Sequence, residues 1–242
     1  MLITYNEQLE SRNYIDDVNF DFFNPCIWVV YPCGAAGDLL SSIINSHYIN
    51  TGSKYFGINN NGQVIFRPSD NKVTSKLSQQ GSLEFNDNWK YLLADQLAEK
   101  NLNYSIVDQL IFSCHLYLDN EVQHLLDTFP QGKIIKINIL NLNEFKLAEY
   151  LSQLKNKNIK IDVNNITEVP NELTSTIETD RVLNVRFCDL LEESKFELMY
   201  DRICTFLNFP SKLIRFDFIN FWKQKQPKEI QYLIDQIIND TK

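Results

Sequence analysis

Apolar and polar positions along this chain follow two rhythms. Short, almost continuous apolar runs rich in Ile, Val, Phe and Trp occur at 26–31, 110–114, 133–139 and 182–187. Runs of this length and composition predict strands buried on both faces. Longer stretches between them repeat apolar residues at helical spacing. Leu39, Leu40, Ile43 and Ile44 predict a helix over 37–50. Trp89, Leu92, Leu93 and Leu97 predict one that Asn86 or Asp87 caps and that runs to about Lys100. Helices are also predicted over 119–129 and 143–156, and from a capping box of Ser194 and Glu197 through Leu207. A last helix opens at Pro227 and carries Ile230, Leu233, Ile234, Ile237 and Ile238.

The segments between are more polar. Lys54–Ile58 and Gln63–Arg67 are strand-like and joined by Asn59-Asn60-Asn61-Gly62, which predicts a β-hairpin insertion over 54–67. Residues 68–86 read as a long loop, Ile159–Val163 as a candidate strand, and 164–180 as a polar connection without assignment. Residues 1–24 read as a polar lead-in and 211–242 as C-terminal helices. Alternating strands and helices predict an α/β fold with a mostly parallel central sheet and helices on both faces, in one domain over 1–242.

Composition narrows the function. The chain has 242 residues, 44% of them hydrophobic and 22% charged, the usual range for a soluble globular protein. A net charge of −8 and a pI near 5.0 argue against general nucleic-acid binding or attachment to anionic membranes, both of which need a basic face. Met1–Arg12 shows no secretory pattern, and no apolar run approaches the roughly 20 residues of a membrane span. The five cysteines lack metal-site spacing, and three dispersed histidines form no constellation. Reduced thiols in a cytoplasmic protein are the expectation.

One stretch stands out for chemistry. The run Ile27–Tyr31 ends at Pro32, continues as Cys33-Gly34-Ala35-Ala36-Gly37-Asp38, and feeds a helical pattern; two of the seven glycines lie here. A strand, a turn of small residues and a helix N-terminus together expose backbone N–H groups and partial positive charge, a setting that suits an anion. Small residues also permit close packing in a tight turn, and both readings stay open. His115, just past the 110–114 run, suits a general base or an interior hydrogen-bonded histidine. Cys33 suits a reactive thiol at a helix N-terminus or a small buried residue.

Three pieces in order resemble the sulfotransferase family, whose α/β fold is of the P-loop nucleotidase type. Tyr31-Pro32-Cys33-Gly34-Ala35-Ala36-Gly37-Asp38-Leu39-Leu40 is similar to the family turn Y-P-K-S-G-T-T-W-L, Leu110–Leu116 to the strand ending T-H-L, and Val182–Leu191 with Ile203–Asn208 to the late strand and following helix. The resemblance spans 27 to about 210. It implies transfer of a sulfuryl group from 3′-phosphoadenosine 5′-phosphosulfate to a hydroxyl or amine acceptor. Pro32–Asp38 would hold the 5′-phosphosulfate and His115 would act as base. The family's turn cation falls at Cys33, its hydroxyls at Ala36 and Gly37, and its 3′-phosphate Arg and Ser at Ile139 and Leu147. A slip of one or two residues offers Asn138 or Asn141. Arg67, Arg186, Lys223 and Lys225 are candidate compensating cations or ordinary surface charges. The alternative is a catalytically inactive binding or regulatory protein on the same scaffold; a cation near the turn favours the enzyme, an acidic pocket the alternative. The small-molecule acceptor and the oligomeric state are not readable from the residues.

Overall fold

The structure, a computed structural model, describes residues 26–47, 56–58, 64–66, 72–76, 109–115, 117–155, 162–208 and 216–240. Its centre is β1 (Cys26–Val30), with all five residues buried. A strand hydrogen-bonded on both edges and covered on both faces has no polar side to show, hence the unbroken apolar run. β1 pairs in parallel with β5 (Gln109–Cys114) on one side and β6 (Lys133–Asn138) on the other. β4 (Lys72–Lys76) lies outside β5 and β7 (Val182–Arg186) outside β6, giving the all-parallel order β4-β5-β1-β6-β7. β2 (Phe56–Ile58) and β3 (Val64–Phe66) form a separate antiparallel pair, with Phe56 opposite Phe66. After β1 the chain builds one side of the sheet, then crosses to the other after β5. The carboxyl end of β1 therefore lies at the topological switch point, where open α/β sheets bind ligands.

The helices are α1 (Gly37–His47), α2 (Asp119–Thr128), α3 (Leu142–Lys155), the single turn α4 (Asn171–Thr174), α5 (Glu193–Leu207), α6 (Phe216–Gln224) and α7 (Lys228–Asp240). On one face of the sheet Ile27, Val29, Ile135, Ile137 and Val185 join a core with residues of α1, α3, α5, α6 and α7. Trp28 points to the other face, where its ring lies 5.2 Å from that of Phe129, just past α2. No helix among the described residues is long and apolar enough to cross a membrane.

Two ion pairs fix the carboxyl half of the sheet. Lys136 on β6 is 1% exposed, and its ammonium donates to Asp119 Oδ1 at 2.8 Å and Ser175 Oγ at 2.9 Å. Ser175 Oγ in turn lies 2.7 Å from Asp119 Oδ1, so the start of α2, β6 and the residue after α4 meet at one node. Glu144, fully buried in α3, accepts from Arg186 Nε at 2.7 Å and Nη2 at 2.6 Å. Asn141 Oδ1 accepts the Glu144 backbone N–H at 2.9 Å while Glu144 Oε2 accepts that of Leu140 at 3.1 Å, a reciprocal cap on α3.

Several expectations need correction. Within the predicted loop 68–86, Lys72–Lys76 forms β4, the outer strand beside β5. An edge strand needs little apolar content, so Lys-Val-Thr-Ser-Lys reads as polar. The capping box at Ser194 is not made: α5 starts at Glu193 behind Glu192, and Ser194 Oγ donates to Glu192 Oε1 instead. Val163 opens a 3-10 turn (Val163–Asn165), not the end of a strand. The lead-in 1–24, the helix predicted before Lys100 and the Asn59–Gly62 corner lie outside the described residues.

Cutting either pair should be measurable. Glu144→Ala strands a guanidinium and two donors at the start of α3. Removing one partner of a buried pair costs about 3–5 kcal/mol. Arg186 is 31% exposed and can rehydrate, so the loss in urea unfolding should fall near the lower end. At the other node, burial opposes ionisation of Asp119, but bonds from Lys136 and Ser175 and the lysine charge outweigh it and hold the carboxyl below its ordinary 3.8. Its contribution is complete above that value and fades as pH falls through the lower folded one. Asp119→Asn should flatten the acid side of the stability–pH curve.

Candidate functional site

The turn after β1 is built residue by residue. Tyr31 ends the strand with its N–H on the Cys114 carbonyl at 3.1 Å. Ala35 N donates to the Pro32 carbonyl at 3.1 Å, closing a tight turn whose third residue, Gly34, has φ +81°. A side chain there is excluded twice, because a Cβ would also stand 1.8 Å from the Ala148 carbonyl oxygen of α3. Ala36 has φ +56°, a left-handed conformation that costs a non-glycine roughly 1–2 kcal/mol. Its carbonyl accepts from Leu39 at 3.0 Å and Leu40 at 3.1 Å, which starts α1. At Gly37 a Cβ would lie 2.0 Å from Tyr31 Cδ1: the tyrosine ring covers the glycine.

That ring carries its hydroxyl to Asp38. The Asp38 side chain turns inward, 7% exposed, and Oδ1 accepts from Tyr31 Oη and from Ser113 Oγ, the latter at 3.1 Å. Burial first, then the Asp38 charge and this bond, push the Tyr31 phenol well above its ordinary value, so it remains the donor. Ser41 Oγ donates to the Gly37 carbonyl at 2.7 Å. Strand β1, helix α1 and strand β5 are thereby tied through one carboxylate.

Of the residues singled out in the sequence, Pro32, Gly34, Ala35, Gly37 and Asp38 are buried in this turn and Ala36 is half-buried. Cys33 is exposed, which corrects its reading as a small buried residue: the tight turn lifts it away from the core. His115 does reach the turn; its Nδ1 lies 3.2 Å from the Tyr31 carbonyl and its ring meets that of Tyr31 edge-on at 4.5 Å. Asn138 sits on β6, two residues beyond the partner of Val30, and is 3% exposed. Its Nδ2 donates toward Asn184 Oδ1 on β7 at 3.4 Å, and its Oδ1 has no partner among the described residues.

Among the described residues, the candidate cations Arg186 and Lys225 are engaged elsewhere. Arg186 is not a solvated charge: burial disfavours its ionisation, but the bond and charge of Glu144 outweigh that and raise its pKa. Lys225 lies over the Phe221 ring at 5.3 Å, and burial lowers the pKa of Lys223. Arg67 lies outside the described residues. The surroundings of Tyr117 are acidic. Half-burial, then electrostatic repulsion from Cys33, Glu121, Glu172 and Glu149, pushes the Tyr117 phenol above its ordinary value. Burial also raises the pKa of Glu121 and of Glu149. No group of three or more metal-ligating side chains occurs among the described residues.

A phosphosulfate fits this donor set poorly. Its oxygens would meet backbone amides beside a buried carboxylate. The buried Lys136 and the half-buried Arg186 are already held by carboxylates. Among the described residues no further cation offers the charge-assisted bonds, each worth roughly 1.5–3 kcal/mol, that such an anion needs. Sequence reading missed Glu144 and Lys136; Asn141-Leu142-Asn143-Glu144 has the N-cap spacing that could have revealed the first. Compared with protein-family models, curated proteins and solved structures, the chain matches none.

The Asp38 node predicts a graded mutant series. Asp38→Ala removes the carboxylate that accepts from both the Tyr31 and the Ser113 hydroxyl. At about 1–3 kcal/mol for each hydroxyl affected, the loss should exceed that of Ser113→Ala or Tyr31→Phe, and a double-mutant cycle in urea should show positive coupling. Additive losses would mean that the hydroxyls and the carboxylate act separately.

Proposed function

We propose that this chain is a sulfotransferase-like α/β protein that acts by binding or regulation, with the turn after β1 serving as a structural joint. The observation that carries the reading is the inward carboxylate of Asp38, held by Tyr31 and Ser113 where the related cofactor site needs positive charge. The covering of Gly34 by α3 and of Gly37 by the Tyr31 ring supports it, because both glycines have a packing reason to be there. So does the acidic surround of Tyr117. On such a scaffold the β2–β3 pair is a hairpin insertion.

A second reading keeps the enzyme: sulfuryl transfer to a hydroxyl or amine acceptor with His115 as base. What favours it is position, since the turn lies at the switch point and His115 stands beside it. Developing negative charge on the transferred group would still require stabilisation by a cation. Calorimetric titration with 3′-phosphoadenosine 5′-phosphate separates the two. We expect no saturable binding up to about 1 mM ligand, a bound of roughly 4 kcal/mol on any affinity. Saturable binding in the micromolar range would overturn the binding-protein reading and restore the enzyme.

A further inference from the structure

Away from the turn, a groove of about 810 Å³ runs between β7, the outermost described strand on its side, and the flank of α5. Leu183, Met199 and Phe206 contribute its apolar lining. Leu198, also in the lining, is 68% exposed, more than any other large apolar side chain described. The charged residues of the lining are Asp189, Lys195, Asp201 and Arg202, and their formal charges cancel. On a chain of net charge −8, this patch can meet a copy of itself without net repulsion.

The order of charges along α5 says more. Lys195, Leu198 and Asp201 follow at intervals of three and share one stripe of the helix. The stripe reads positive, apolar, negative, and is complementary to itself when reversed. If two such helices cross antiparallel at Leu198, each Lys195 faces the other copy's Asp201, and the two leucines meet on the axis. Lys195 already lies 2.8 Å from Glu192 of its own chain, an ion pair that a second carboxylate can join. Isologous contact of one patch with itself is the commonest way soluble chains pair. We propose that two copies of this chain associate through the α5 face about a two-fold axis beside Leu198. The proposal is independent of the function argued above.

Sedimentation velocity on the full chain between about 1 and 200 µM tests it, because a self-associating species must grow with concentration. The expected result is a dimer fraction that rises over this range and falls with added salt. Leu198→Glu places two like charges on the axis and should weaken association at least tenfold. Its melting temperature should be unchanged, because the side chain is exposed. Lys195→Glu and Asp201→Lys should each weaken the dimer, and the double variant should recover it by reversing both cross-axis pairs. A monomer at every concentration would overturn the proposal. So would a dimer unmoved by Leu198→Glu, or charge variants that fail to compensate.

Discussion

The buried carboxylate of Asp38 is the constraint on which the centre of this molecule turns. It stands at the start of α1, receives hydroxyls from the end of β1 and from β5, and leaves neither donor to water. A carboxylate in a helix's first turn is favoured by the helix dipole, and one drawn inward must be matched by donors or it would not be tolerated. Tyr31 supplies one donor and, with the same ring, covers Gly37. The left-handed Ala36 between them is held by what flanks it: a closed turn on one side and the first bonds of α1 on the other. Local strain of this kind persists where the surroundings over-determine the backbone.

The same logic recurs along β6 and β7. Lys136, Asn138, Asn184 and Arg186 follow each other in register, a polar ladder at the carboxyl end of an otherwise apolar sheet. Buried polar groups are stable when paired, and most of these are: Lys136 with Asp119 and Ser175, Asn184 with the Ile177 carbonyl, Arg186 with Glu144. Each pairing crosses a boundary between elements. The ladder therefore pins the connections that follow β6 and precede β7, whose own sequence has little regular pattern.

Where the chain is strongly periodic, the sequence was legible. The strands at 26, 110, 133 and 182 and the helices after 119, 143 and 227 appear within one or two residues of their predicted bounds, and the helix at 37 starts where predicted, because burial imposes its period on every residue of such a segment. β4 was not legible, since an edge strand is exempt from that demand. The turn after β1 was legible as a strand-to-helix joint, while its internal bonds were not. The small residues of 32–37 announce a tight strand-to-helix turn, but Asp38 meets Ser113 across a sequence separation of 75, and no local signal encodes that contact. Nor does composition reveal that Arg186 would be taken by Glu144, 42 positions earlier.

Glycine in a turn after a β-strand has two physical uses that look identical in sequence. It can bare backbone amides to a ligand, or it can let another part of the protein come close. What separates them is what occupies the space where the Cβ would be. At Gly34 that space belongs to a carbonyl oxygen of α3, and at Gly37 to the ring of Tyr31. Both are internal neighbours, and the second is bound to the carboxylate that an incoming anion would have to displace or endure. Adding a cation at exposed Cys33 would change the potential outside the turn without altering either contact. For this turn to hold a phosphosulfate, its amides would have to bind the anion a few bonds from a buried negative charge that the fold itself depends on.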